Sequence, residues 1–203
     1  MTTVVLPPER LARWVQNFGD RHGEVELAVH EGLLTGSASD SSSFTATLPF
    51  SRTYDGPADL EAFSSACDPP GDWGVLLVRK GGFAIARLTG ATVSSSKVGQ
   101  RHVQGRTKAG GQSQQRFARR RDNQARVAFE AAAEHAVRLI ADVPVVVVGG
   151  DHTAVTAVLE DPRLRTVASR VRGPFLAVPD PRRAVLESAV VEACSVTMSV
   201  INA

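Results

Sequence analysis

VPVVVVGG, residues 143–150, is the stretch that decides the fold. Apart from Pro144, its first six residues are all valine, with nothing polar to face water on either side. A strand without apolar–polar alternation is covered on both faces, as in the central strands of parallel or mixed sheets. Working outward, residues 113–141 before it read as one long helix. Its alanine-rich second half has high helix propensity, and Phe117, Ala128, Ala132, Val137 and Ile140 are candidates for its buried side. After the valines, DHTAVTAVLED (151–161) reads as another helix, with Asp151 or Thr153 as N-cap.

Further upstream, WGVLLVRKGGFAIARLTG (73–90) is two apolar runs around Arg79-Lys80-Gly81-Gly82, a hairpin signal. ATVSSSKVGQRHV (91–103) follows as a third, polar strand rich in β-branched residues. Downstream, RGPFLAVPD (172–180) reads as a last strand and PRRAVLESAVVEACSVTM (181–198) as a last helix. The order β-β-β-α-β-α-β-α predicts an α/β domain with a mixed β-sheet flanked by helices. Before it, PPERLARWVQNF (7–18) reads as a short helix, and residues 24–32 and 44–50 as strands, with GSASDSSS (36–43) as a loop between them. DPPGD (68–72) breaks the chain. The expected division is therefore a small N-terminal α/β appendage of unreadable role at 1–70 and a main domain at 71–203.

The 203 residues are 43% hydrophobic, enough for a full core. No apolar run reaches membrane-spanning length and the first residues lack a signal-peptide pattern, so a cytoplasmic protein without a membrane partner is expected. Cys67 and Cys194 belong to no CxxC or Cys/His cluster, which argues against a zinc site or a disulfide framework. Charge is the distinctive property. Residues 97–126 hold nine cationic side chains against Asp122 alone, a net +8, while the other 14 basic and 20 acidic residues sum to −6. A mildly acidic body with one concentrated basic segment fits a phosphate-rich partner.

That segment contains TKAGGQSQQRFARRR, residues 107–121. Adjacent glycines let a backbone take positive φ and approach another molecule closely. Gln112 does not titrate, but its amide can orient a water and its backbone N–H can donate to a developing oxyanion. Arg106, Lys108, Arg116, Arg119, Arg120 and Arg121 can hold phosphates, with Lys97 and Arg101 on the strand that enters the loop. A loop of this kind suits a substrate that brings its own reactivity, such as an activated ester on a nucleic acid. Gly150-Asp151-His152 follows a buried strand but has no GxSxG elbow near it, so Asp151 is expected to cap a helix and His152 to be exposed or capping.

GGQSQQRFARRR (110–121) closely resembles the GGQ segment of eukaryotic and archaeal class-one peptide release factors. Gly110, Gly111, Gln112, Ser113, Arg116, Phe117, Ala118 and Arg119 match it in register. A weaker likeness extends over roughly residues 71–203. The chain holds no stop-codon-reading domain with a NIKS-type motif and no domain that recruits a translational GTPase. It is therefore most similar to the Vms-like release factors, in an actinobacterial-type form. The resemblance implies a release-factor middle-domain fold of ribonuclease H-like type, with the GGQ loop at 105–115. It implies a monomeric peptidyl-tRNA hydrolase whose partners are the large ribosomal subunit with its rRNA and peptidyl-tRNA. Gly110, Gly111 and Gln112 would be catalytic, and neither a metal nor an organic cofactor would be needed. Phe117 would pack the helix start onto the domain. A nuclease cutting tRNA near its CCA end and a non-catalytic binder of ribosomal RNA are the alternatives.

Overall fold

The computed structural model describes the backbone of residues 1–100 and 112–203 and the side chains of residues 1–100 and 124–203. The first half of the chain forms β1 (Thr2–Leu6), α1 (Leu11–His22), β2 (Val25–His30), β3 (Leu33–Ala38), β4 (Ser43–Thr47), α2 (Leu60–Ala66), β5 (Asp72–Arg79), β6 (Gly82–Thr89) and β7 (Thr92–Gln100). The second half forms α3 (Gln112–Ile140), β8 (Val146–Gly150), α4 (His152–Leu159), α5 (Arg165–Ala168), α6 (Arg183–Ala193) and β9 (Val196–Ile201). The described residues thus make a mixed α/β protein with two sheets and six α-helices. They divide into two compact units, Met1–Pro69 with Val190–Ala203, and Pro70–Ala189.

In the first unit five antiparallel strands run in the order β1-β9-β4-β3-β2. Alternate residues of β3, β4 and β9 are buried in a core with Leu11, Val15 and Phe18 of α1 and Phe63 of α2. Trp14 stacks on Phe18 with ring centroids 5.4 Å apart, and Phe44 meets Trp14 edge-on at 5.3 Å.

Two sequence expectations change here. Residues 36–38, expected in a loop, end strand β3, because Gly36 lies directly opposite Phe44. A Cβ on Gly36 would stand 2.3 Å from the Phe44 ring, so the missing side chain makes room for a large one across the strand pair. Residues 196–198, expected at the end of the last helix, are strand. β9 pairs with both β1 and β4, which places residues 190–203 in the first unit rather than in a domain ending at 203. The N-terminal segment is therefore not a separate 1–70 appendage, since its sheet is completed by the far end of the chain.

In the second unit the sheet order is β7-β6-β5-β8. The hairpin turns at Lys80-Gly81 between the paired Arg79 and Gly82, and β7 lies antiparallel to β6. β8 runs parallel to β5, with Gly74–Val78 against Val146–Gly150. The six residues Trp73–Val78 are buried on both faces of β5. One face meets α3 and α4 in a core that includes Leu76, Val78, Phe83, Ile85, Ala132, Ala136, Ile140, Val155 and Val158. Arg87 joins β6 to the strand and turn beside it: it donates to Asp72 and, at 2.7 Å, to Asp142, and holds the Asp142 carboxyl below the usual range. Residues 172–180, expected as a strand, form none; the segment around them makes two isolated bridges to β8, at Val146–Val171 and Gly149–Leu176. No helix among the described residues is long and apolar enough to cross a membrane.

The 172–180 segment leaves no room at Gly149: a Cβ there would lie 2.5 Å from the Leu176 carbonyl oxygen. Gly149→Ala is expected to cost about 1–3 kcal/mol in urea unfolding, the scale of overpacking a filled site. Gly71→Ala, with nothing within 4 Å of the added carbon, is expected to be near neutral.

Candidate functional site

The frame of the basic segment is built by β7 and α3. β7 is the edge strand of its sheet and ends at Gln100, paired with Gly82. α3 starts at Gln112 and runs for 29 residues, about 43 Å at 1.5 Å per residue. Its last turns are locked down: Ala128, Ala132, Ala133, Ala136 and Ile140 are at most 4% exposed. The small side chains let the helix lie close on β5 and β6. The chain thus leaves a paired strand end at Gln100 and, after residues 101–111, continues in a helix whose other end is set in the core.

Gln112 is the first residue of α3, and Arg116, Arg119, Arg120 and Arg121 belong to the same helix. Their side chains, with that of Phe117, lie outside the described residues, as do Arg101, Arg106, Lys108, Gly110 and Gly111 altogether. Lys97 is exposed on β7, opposite Ile85 in the register. Arg126 pairs with Glu130 one turn on, both largely exposed, a contact that contributes little to stability.

Where β6 and β7 meet α3 there is a cavity of about 190 Å³ lined by Phe83, Lys97, Gln100 and His135 among others. The rings of Phe83 and His135 are 5.6 Å apart and tilted by 35°. Nδ1 of His135 accepts from Nη2 of Arg138 at 3.0 Å. Burial, then the charges of Arg138 and Lys97, hold His135 below the ordinary histidine range, so it is neutral at pH 7. The sequence carries no local signal of this cavity, because its walls come from three elements that only the fold brings together.

Several other chemistry-bearing groups have structural employment. Oδ1 of Asp151 accepts from the Ala154 N–H at 3.0 Å, the expected cap of α4. His152 is exposed and stacks on Phe175 with centroids 3.6 Å apart, so the two do not form the acid–base half of a triad. In the first unit, Asp40 bonds His22 Nδ1 at 2.8 Å and the Ser42 N–H at 2.8 Å, tying the end of α1 to the β3–β4 turn. These bonds hold the Asp40 carboxyl below the usual range. A cavity of about 280 Å³ lies beside that pair, lined by Trp14, Asn17, Arg21 and His22 among others.

Residues 71–199 match the model of a protein family described as acVLRF1, the Actinobacteria/chloroflexi VLRF1 release factor. No curated protein matches the chain. Among solved structures, the crystal structure of the archaeal translation termination factor aRF1 is similar at 15% sequence identity and a TM-score of 0.45. That alignment covers 94% of this chain but only 63% of the archaeal factor, less than two thirds of its length.

Both cysteines are free thiols, and burial pushes Cys67 up to about 12 and Cys194 up to about 11. A raised thiol pKa keeps the group protonated at neutral pH, where only the thiolate attacks. Native protein is expected to react with a disulfide reagent far more slowly than free cysteine at neutral pH. Rapid labelling of two thiols should appear only on unfolding in urea. Stopped-flow absorbance of the released thiolate measures both rates.

Proposed function

This chain belongs to the Actinobacteria/chloroflexi VLRF1 release factor family, and on that premise we propose that it is a ribosome-associated peptidyl-tRNA hydrolase. It frees nascent chains from stalled large subunits without reading a codon, and it works in the cytoplasm, where those subunits are. The observation that carries this reading is the sequence Gly110-Gly111-Gln112, with Gln112 the first residue of α3, on a chain of this family. The Pro70–Ala189 unit takes the chemistry. Its antiparallel β5-β6-β7 meander, with β8 parallel to β5, supports assigning it to the ribonuclease H-like release-factor middle domains.

The proposed mechanism uses few groups. Gly110 and Gly111 allow the backbone to close on the CCA end of the tRNA, since they have no Cβ to hold it away. The Gln112 amide holds a water against the ester carbonyl. The water oxygen bonds to the carbonyl carbon, the carbon–O3′ bond breaks, the peptide leaves as its carboxylic acid and the ribose 3′ oxygen takes the proton. Two properties of the start of α3 favour the negative charge that develops on the way. The first N–H groups of any helix lack intrahelical acceptors, and the first turn of α3 holds no acidic residue. The Gln112 N–H is one such donor. Arg106, Lys108, Arg116, Arg119, Arg120 and Arg121, with Lys97 and Arg101 before the loop, hold rRNA and tRNA phosphates. The mechanism calls on no metal or organic cofactor, because the ester is already activated and the ribosome supplies the surroundings.

Gln112→Ala is expected to slow release of peptide from isolated large subunits carrying peptidyl-tRNA by about 10²–10³, the cost of losing an oriented water or an oxyanion donor. Its melting temperature and subunit affinity should stay at wild-type values. Gel analysis of the products decides the bond broken: full-length tRNA with a free peptide carboxylate means ester hydrolysis, and shortened tRNA means a nuclease. Wild-type release by the variant would remove Gln112 from the reaction.

The basic block has a separate signature. Changing Arg119, Arg120 and Arg121 together to Ala should weaken subunit binding and lower the slope of log affinity against log salt by up to about three, roughly one per lost phosphate contact. Gln112→Ala should leave that slope unchanged. Sedimentation binding at several salt concentrations measures both, and an unaltered slope in the arginine variant would mark the block as solvated surface.

A further inference from the structure

We propose that the cavity where β6 and β7 meet α3 receives one unpaired nucleobase of RNA. This rests on the reading above only in taking RNA as the partner. Four features of the cavity point to such an occupant.

Its size comes first. About 190 Å³ is below the range of pockets that hold a drug-sized molecule or a whole nucleotide cofactor, and it suits a single planar ring system. The space exists because the residues facing it from α3 at Ala128 and Ala131 are small, while Phe83 and His135 supply ring surface. Aromatic and imidazole rings are the surfaces on which unstacked bases settle.

The second feature is the polar edge. Arg138 can only donate, so its bond to Nδ1 makes that atom the acceptor and leaves the His135 proton on Nε2. The imidazole is therefore one hydrogen-bond donor, neutral at pH 7 because burial and the charges of Arg138 and Lys97 oppose a further proton. Gln100 adds an amide that both donates and accepts. A nucleobase offers donors and acceptors along its rim, whereas a purely apolar guest would leave these groups unmatched.

Charge is the third. Lys97 is exposed and lines the same cavity, where an ammonium can meet the phosphate that follows a splayed base. Among the described residues lining the cavity, the neutral His135 ring and the Lys97 ammonium suit a base inside and a phosphate outside. The fourth feature is continuity. Lys97 and Gln100 belong to β7, and the +8 segment of residues 97–126 begins on that strand and continues into α3.

The test uses the full chain and two adenosine hexaribonucleotides, one normal and one with an abasic residue at each central position. Ala131 is half-buried on α3, and leucine there keeps helix propensity while occupying the cavity. Fluorescence anisotropy should give wild type about tenfold tighter binding to the normal hexamer than to the abasic one, the worth of about one stacked base. Ala131→Leu should remove that preference and leave the salt slope unchanged. Lys97→Ala, at an exposed position, should keep the preference and lower the slope by about one. In wild type, the amide resonances of Gly99 and Gln100 should move with the normal hexamer and not with the abasic one. No preference in wild type, a preference that survives Ala131→Leu in folded protein, or unmoved Gly99 and Gln100 resonances would each overturn the pocket. If Ala131→Leu fails to fold, the wild-type resonances and the Lys97→Ala slope decide. Peptide release from large subunits is scored on the same proteins. Base-independent binding with intact release removes the pocket alone, and base-dependent binding with no release removes the hydrolysis alone.

Discussion

The second unit depends on one pairing, β8 lying parallel to β5. Parallel neighbours cannot be joined by a tight turn, so the chain must cross a face of the sheet between them. Here it first adds β6 and β7 on the other side of β5, then returns through α3. The return helix packs Ala132, Ala136 and Ile140 against Leu76, Val78, Phe83 and Ile85, and the same core closes over Val146 and Val148. The pairing and the crossover stabilise each other. α4, which follows β8, packs Val155 and Val158 into the same core and covers that strand.

A consequence for the basic segment follows from that geometry. Residues 101–111 are bracketed by a strand end that is hydrogen-bonded at Gln100 and by a helix whose last turns are buried. In the proposed mechanism these two ends present the GGQ stretch to its substrate.

Several of the described acids and both thiols fit this division of labour. Asp151 caps a helix, Asp40 holds His22, Asp72 and Asp142 hold Arg87, and burial silences both cysteines. Each is consumed by local folding requirements. A reaction that needs only an amide, backbone N–H groups and the reactivity of the substrate is consistent with such a body, because it asks for no titrating side chain from it.

Local pattern determined much of this protein. The lack of polar residues in 143–148 marks a strand buried on both faces, the turn residues at 79–82 mark the hairpin, and helical spacing with alanine propensity marks α3 nearly to its ends. The charge asymmetry and the GGQ segment are equally local, and with them the family was legible. Tertiary structure alone decided the rest. Residues 36–38 look like loop until Phe44 is set across Gly36, and 196–198 look like helix until β1 and β4 offer two sides to pair with. Their form is chosen by partners distant in the chain, and those pairings outweigh the weak preferences of short segments. The Phe83–His135 cavity has the same origin. No periodicity within β6, β7 or α3 could announce a space that exists only between them.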